Sequence, residues 1–200
     1  VVRETCRQLR CWKENGLPAI KVAINLSPRQ LEQSDLVEKM LDIVRSEQVS
    51  CEQIMFEITE TVAMQDAPKT ADMIREFQEN HFEIAIDDFG TGYSSLAYLQ
   101  RFRAKQLKID RFFTNGLDEC GHEGSAIVSA IIKLAHTLEM DVVAEGVETD
   151  SQLAKLKGMM CDEVQGFLLG KPVTAEELGA LLHQQANRNL IKFKARKASA

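Results

Sequence analysis

Ile84-Ala85-Ile86-Asp87-Asp88-Phe89-Gly90 is an apolar run that ends in two adjacent carboxylates and a loop glycine. A strand that delivers its acids only at its end predicts a site at that end, because charges spread along a buried strand cost stability. The arrangement recurs. Lys21-Val22-Ala23-Ile24 runs into Asn25, and Ile54-Met55-Phe56 into Glu57. Gln106-Leu107 leads to Lys108 and Asp110, Asp141-Val142-Val143-Ala144 to Glu145, and Glu163-Val164 to Gln165. Six strand-like runs thus end in an acid, an amide or a lysine, which predicts that these groups meet.

The runs, near 20–25, 54–59, 83–88, 106–110, 141–146 and 163–166, alternate with helical patterns near 1–15, 29–47, 67–81, 94–102, 124–140, 150–158 and 174–187. Strands separated by helices imply crossover connections and a mainly parallel sheet. Helix signals agree: Ser27-Pro28 opens the second, Thr174 with Glu176 and Glu177 opens the last, and Gly16-Leu17-Pro18 stops the first. An open doubly wound sheet and a closed barrel both fit. Functional groups at the same end of all six strands favour the barrel, since an open sheet builds its site mainly at the switch point. A barrel of this kind has about 250 residues and eight strands. The chain has 200 residues and begins with Val1, Val2, Thr5, Leu9 and Trp12 near one helical face. The expectation is an α/β barrel of TIM type, incomplete at the N-terminus by roughly 50 residues. One domain spans 1–187, followed by a basic tail over 188–200.

The net charge is −6, and the tail holds Arg188, Lys192, Lys194, Arg196 and Lys197 without an acid. Setting those five charges aside leaves −11 for residues 1–187. So acidic a body argues against broad binding to a nucleic-acid polymer, although an anionic ligand is accommodated where cations offset the carboxylates. No apolar stretch approaches a membrane span. The cysteines (Cys6, Cys11, Cys51, Cys120, Cys161) are odd in number and form no C-x-x-C pair, which points to reduced thiols and a cytoplasmic setting. The histidines His81, His122, His136 and His183 show no zinc spacing with them.

Glu57, Asp87, Asp88 and Glu145 facing one cavity repel unless they are protonated or hold cations. Oxygen-only ligands, with Asn25 beside them, suit magnesium or manganese, and two such ions about 3.5–4 Å apart are the usual device for phosphate-ester hydrolysis. Lys108 adds a fixed cation able to orient a nucleophile. A lone acid at a strand end is most often a solvated or capped end; it is the recurrence that argues for a site. Gly90-Thr91-Gly92 is a loop signal without a full phosphate-binding fingerprint, and Asp88-Phe89-Gly90 lacks the other protein-kinase motifs. Ile127, Ile131, Leu134 and Leu138 read as core or a subunit contact, and His81 and His136 receive no role.

Taken together, Asn25-Leu26-Ser27, Glu57-Ile58-Thr59-Glu60, Asp87-Asp88-Phe89-Gly90-Thr91-Gly92-Tyr93-Ser94-Ser95-Leu96, Leu107-Lys108-Ile109-Asp110, Ala144-Glu145-Gly146-Val147-Glu148-Thr149 and Gln165-Gly166-Phe167 resemble, in order, the EAL domain of bacterial cyclic di-GMP phosphodiesterases. The resemblance covers residues 1 to about 180. It implies a modified (β/α)8 barrel whose first strand is antiparallel. It also implies hydrolysis of cyclic di-GMP to linear pGpG with two Mg2+ or Mn2+ ions. By resemblance, Asn25, Glu57 and Asp87 bind the first ion. Asp87, Asp88 and Glu145 serve the second ion and the attacking water, which Lys108 positions. Gln165 contacts substrate, and Glu148 belongs to the same side while supporting the segment around Glu145. Glu60 tethers the 89–95 loop. A homodimer through that loop and the following helices is implied, with a sensory or diguanylate cyclase-like domain upstream. The Glu-Ala-Leu that names the family is absent from the 200 residues, and the resemblance puts it upstream, its glutamate a ligand of the first ion. The isolated segment is therefore expected to be weak or inactive. Smaller departures are Phe167, where tyrosine is frequent, and Gly170 before Lys171-Pro172, where serine is frequent. The alternatives are a receptor that binds cyclic di-GMP without cutting it and an interaction scaffold that keeps only the barrel.

Overall fold

In a computed structural model that describes residues 1–92, 95–118 and 122–185, six strands form one parallel sheet in the order β1 to β6. They are β1 (Val22–Asn25), β2 (Ile54–Thr59), β3 (Glu83–Phe89), β4 (Gln106–Ile109), β5 (Asp141–Ala144) and β6 (Glu163–Val164). Each strand pairs with the next in sequence. A doubly wound sheet reverses its order at a switch point, and this one does not. The strands curl into part of a barrel with helices outside, so all six expected strands are present. β1 and β6 are its two edges among the described residues.

The helices are α1 (Val2–Glu14), α2 (Pro28–Leu31), α3 (Leu36–Ser46), α4 (Glu60–Gln65), α5 (Ala67–Glu79), α6 (Leu96–Phe102), α7 (Arg111–Asn115), α8 (His122–Thr137) and α9 (Asp150–Gly158), and residues 175–185 are also helical. A short 3-10 turn, Cys51–Gln53, precedes β2. The single helix expected over 29–47 is two, because Glu32-Gln33-Ser34-Asp35 offers no apolar residue to bury. The Ser27 backbone N–H and hydroxyl both donate to Gln30 at the start of α2, and Thr174 and Glu177 cap each other before the last helix. Gly16, at φ +73, ends α1 as expected. The buried stripe of α1 is Val2, Cys6, Leu9 and Trp12. Val1 is exposed and Cys6 replaces Thr5, a better fit to the helical period. On α8 the buried stripe is Val128, Ile131, Ile132 and Ala135, while Ile127 faces outward.

The core lies between the outer face of the sheet and the helices. Phe56 of β2, Phe77 of α5 and Phe82 form a trio with ring centroids 5.0–5.7 Å apart, all essentially fully buried. On α1, Arg3, Arg7 and Arg10 converge on the buried carboxylate of Glu47, which follows α3. Burial alone would raise the Glu47 pKa, but the three guanidinium groups outweigh it and hold the carboxyl below its usual range.

Candidate active site

The inner face of the sheet carries every second residue: Ala23, Met55, Glu57, Gln106, Lys108, Val143 and Gln165 line one cleft of about 570 Å³. Simple alternation would turn Asp87 and Asp88 to opposite faces. A register shift prevents that. Ile86 pairs with Leu107 and Phe89 with Ile109, so β3 advances three residues while β4 advances two. The extra residue is a β-bulge opposite Lys108. Asp88 takes a left-handed φ of +53, and its freed N–H donates to Asp87 Oδ1 at 3.0 Å. Oxygens of Asp87, Asp88 and Glu145 then lie within 4.8 Å of one another. Opposite oxygens around a magnesium ion are about 4.2 Å apart at its usual bond length. The trio therefore fits one divalent ion after small side-chain movements.

Lys108 sits at the centre. Its Nζ is 2.7 Å from Glu57 Oε1, 2.7 Å from Glu145 Oε1 and 3.1 Å from Asp87 Oδ1. Burial would lower its pKa, but hydrogen bonds to Glu145 and Glu57 and the charges of Glu57 and Asp87 raise it overall. The ammonium is fully charged at neutral pH. Glu145 moves the other way from an ordinary acid: burial raises its pKa, and the pull of Lys108 only partly offsets that. Asp88 is also raised, first by burial and then by the charges of Asp87 and Asp110. Glu57, Asp87 and Glu145 share one lysine with Asp88 nearby, an excess of negative charge that added cations would relieve.

Asn25, an exposed residue at the end of β1, pairs in register with Glu57, and its Nδ2 donates to Glu57 Oε2 at 3.0 Å. Both Glu57 oxygens thus have partners, and Glu57 faces Asn25 and Lys108 rather than the acidic trio. Glu60, 1% exposed at the start of α4, accepts from the N–H groups of Gly90 at 2.7 Å and Gly92 at 3.2 Å. The two bonds join the start of α4 to residues 90–92; Tyr93 and Ser94, within the expected 89–95 loop, lie outside the described residues, as do Cys120 and the tail 188–200. Gln165 is exposed at the edge of the cleft. Glu148 is exposed, and its N–H donates to Gln152 Oε1 at 2.8 Å, so no described contact joins its side chain to the acids. His136 pairs with Asp162 at 2.8 Å, away from the mouth.

Asp110 is a residue to which the sequence pattern assigns no role. It caps α7, accepting from the Phe112 N–H at 2.7 Å, and its charge near Asp88 adds to the rise of that residue's pKa. Its place two residues after Lys108, at the end of β4, was the signal that marks it.

A family model described as the EAL domain matches residues 1–172. The chain is 42% identical over 180 residues to the bifunctional diguanylate cyclase/cyclic di-GMP phosphodiesterase MucR of Pseudomonas aeruginosa, covering 89% of this chain and 26% of that protein. It therefore spans about a quarter of that relative's length. Among solved structures, the MucR phosphodiesterase in complex with c-di-GMP superposes with a TM-score of 0.84 at 42% identity, covering 88% of this chain and 71% of that one. The EAL domain of Mycobacterium smegmatis DcpA gives 0.85 at 37%, covering 91% and 82%. A manganese/cyclic di-GMP complex of Klebsiella pneumoniae BlrP1 gives 0.76 at 27%, covering 87% and 44%.

Proposed function

Because the chain belongs to the EAL domain family, we propose that it serves a metal-dependent hydrolysis of cyclic di-GMP to linear pGpG. The observation that carries this reading is the bulge at Asp87-Asp88, which turns two adjacent acids toward Glu145 beside a single buried lysine. Relatives support the substrate: MucR is named a cyclic di-GMP phosphodiesterase, and MucR and BlrP1 structures are complexes with that nucleotide.

In this reading two ions, magnesium or manganese, would be held by Asn25, Glu57 and Asp87 on one side and by Asp87, Asp88 and Glu145 on the other. Divalent ions there would supply Lewis-acid charge to the phosphodiester and acidify its attacking water. Lys108 Nζ, fixed by three carboxylates, is a donor that orients the nucleophile without needing to move. Glu60 keeps the loop after β3 from drifting, and Gln165 meets the substrate at the cleft edge. Glu148 lies on the substrate side and supports the Glu145 segment. A homodimer, a cytoplasmic location and a sensory or cyclase-like partner domain complete the reading.

The test is hydrolysis by the full-length protein with manganese, followed by product chromatography. Turnover to pGpG is expected, and Glu57→Ala or Asp87→Ala should abolish it. Tight nucleotide binding without product would overturn the enzymatic reading in favour of a receptor. Near-normal rates in either variant would remove the ligand assignment.

A further inference from the structure

Two glycines beside the acids are pressed by one short helix. Gly90, two residues after Asp88, has φ +99, and a Cβ there would lie 2.4 Å from Cε2 and 2.7 Å from Cζ of Phe113. Gly146, directly after Glu145, has φ +69, and a Cβ there would lie 2.5 Å from Cβ and 3.3 Å from Cα of Arg111. Both contacts come from α7. They reach the two loops that carry the trio, one after β3 and the other after β5. A side chain at either point would be strained and would force α7 or the loop to shift, and neither loop can retreat toward α7 without a collision.

The wedge itself is anchored. Thr114 in its middle is completely buried, and Asp110 caps its first turn, accepting from the Phe112 N–H at 2.7 Å. On its far side the loop after β3 is held by the Glu60 carboxylate through Gly90 and Gly92. Gly90 is thus clamped between a charge-assisted hydrogen bond and the edge of an aromatic ring.

We propose that Phe113 is a positioning residue: it holds Gly90 so that α7, seated against Gly146 by Arg111, sets the separation between the Asp87–Asp88 pair and Glu145. The inference rests on the divalent-ion reading of those acids. Shortening Phe113 lets the loop relax toward α7 and widens the spread of ligand geometries. The loss should resemble that of removing a group that orients a ligand, about tenfold in metal affinity.

Calorimetric titration of manganese into the full-length protein, well below the melting temperature, tests this. Four variants decide it: Asp88→Asn, Phe113→Ala, the milder Phe113→Leu, and Phe77→Leu, which trims the core trio far from the acids. The proposal expects Asp88→Asn to lose manganese binding and Phe113→Ala to weaken it about tenfold. Phe113→Leu should lie between and serve alone if Phe113→Ala does not fold. Phe77→Leu should lower the melting temperature with affinity unchanged. If Asp88→Asn loses binding while both Phe113 variants bind like the native chain, the wedge is overturned and the metal reading stands. Equal losses in Phe77→Leu and Phe113→Leu would also overturn it, since a general loosening would then suffice. No manganese binding by the native chain, or none lost in Asp88→Asn, would overturn the metal reading and the wedge with it.

Discussion

Replacing Lys108 with methionine keeps the length of the side chain and removes the one charge that pairs with Glu57, Asp87 and Glu145. The three contacts are 2.7–3.1 Å long, and the side chains of lysine and its partners are 7–19% exposed. Solvent therefore screens them little. Removing one member of such a buried set costs roughly 3–5 kcal/mol, because the partners are left charged and unpaired. For a chain of this size each kcal/mol moves the melting temperature by about 2–4 °C, so the metal-free variant should melt roughly 6–20 °C lower at pH 7.5.

The deficit should depend on pH with a definite sign. Glu145 already has a raised pKa in the folded protein, so its effect on stability is most favourable below the unfolded value and is lost as pH rises through the folded one. Without Lys108 its pKa rises further. The gap to the native chain should therefore narrow as pH falls from 7.5 toward 5. Manganese should narrow it too, and the variant should bind the ion more tightly than the native chain while the full-length variant turns over more slowly. Differential scanning calorimetry with and without manganese reads all but the last of these effects. Equal melting temperatures at pH 7.5, or a gap that widens on acidification, would refute the reasoning.

Three further outcomes are expected. Glu60→Ala removes the acceptor of two backbone N–H groups, each such bond to a charged group contributing about 1.5–3 kcal/mol; turnover of the full-length protein should fall while the circular-dichroism spectrum persists, and unchanged turnover and metal affinity would exclude the tether. Asp162 accepts from His136 and the Val142 N–H; burial would raise its pKa, but these partners hold it low. Its contribution is present above pH 3.8 and lost as pH falls below that, so the stability gap between the native chain and Asp162→Asn should close in acid denaturation toward pH 3. A Cβ on Gly166 would lie 2.1 Å from the Val147 carbonyl oxygen, so Gly166→Ala must shift the backbone that presents Gln165, and thermal melting should show a clear loss.

The strands were legible because each is a short apolar run closed by a polar group, and β2 was read at its observed bounds, Ile54–Thr59. A mainly parallel sheet was legible from the alternation of strands and helices, and the barrel from the functional groups at every strand end. The short helices α4 and α7 were not read, since five or six residues are too few to display a helical period. The bulge at Asp87-Asp88 could not be read from β3 alone: it exists only as a mismatch with Leu107 and Ile109 on β4. The influence of Asp110 on the Asp88 pKa is hidden for a similar reason, because Asp88 belongs to β3 and Asp110 follows β4. The role proposed for Glu60 comes from family resemblance; its bonds to Gly90 and Gly92 join two separate elements and could not be read from the sequence.

The central claim is that the acids at the bulge gather divalent ions. A crystal of the chain grown with manganese and measured at the manganese absorption edge tests it most directly. Anomalous density within coordination distance of Asp87, Asp88 and Glu145 is the expected result; a mouth without such density, at manganese concentrations that saturate binding in solution, would contradict the account.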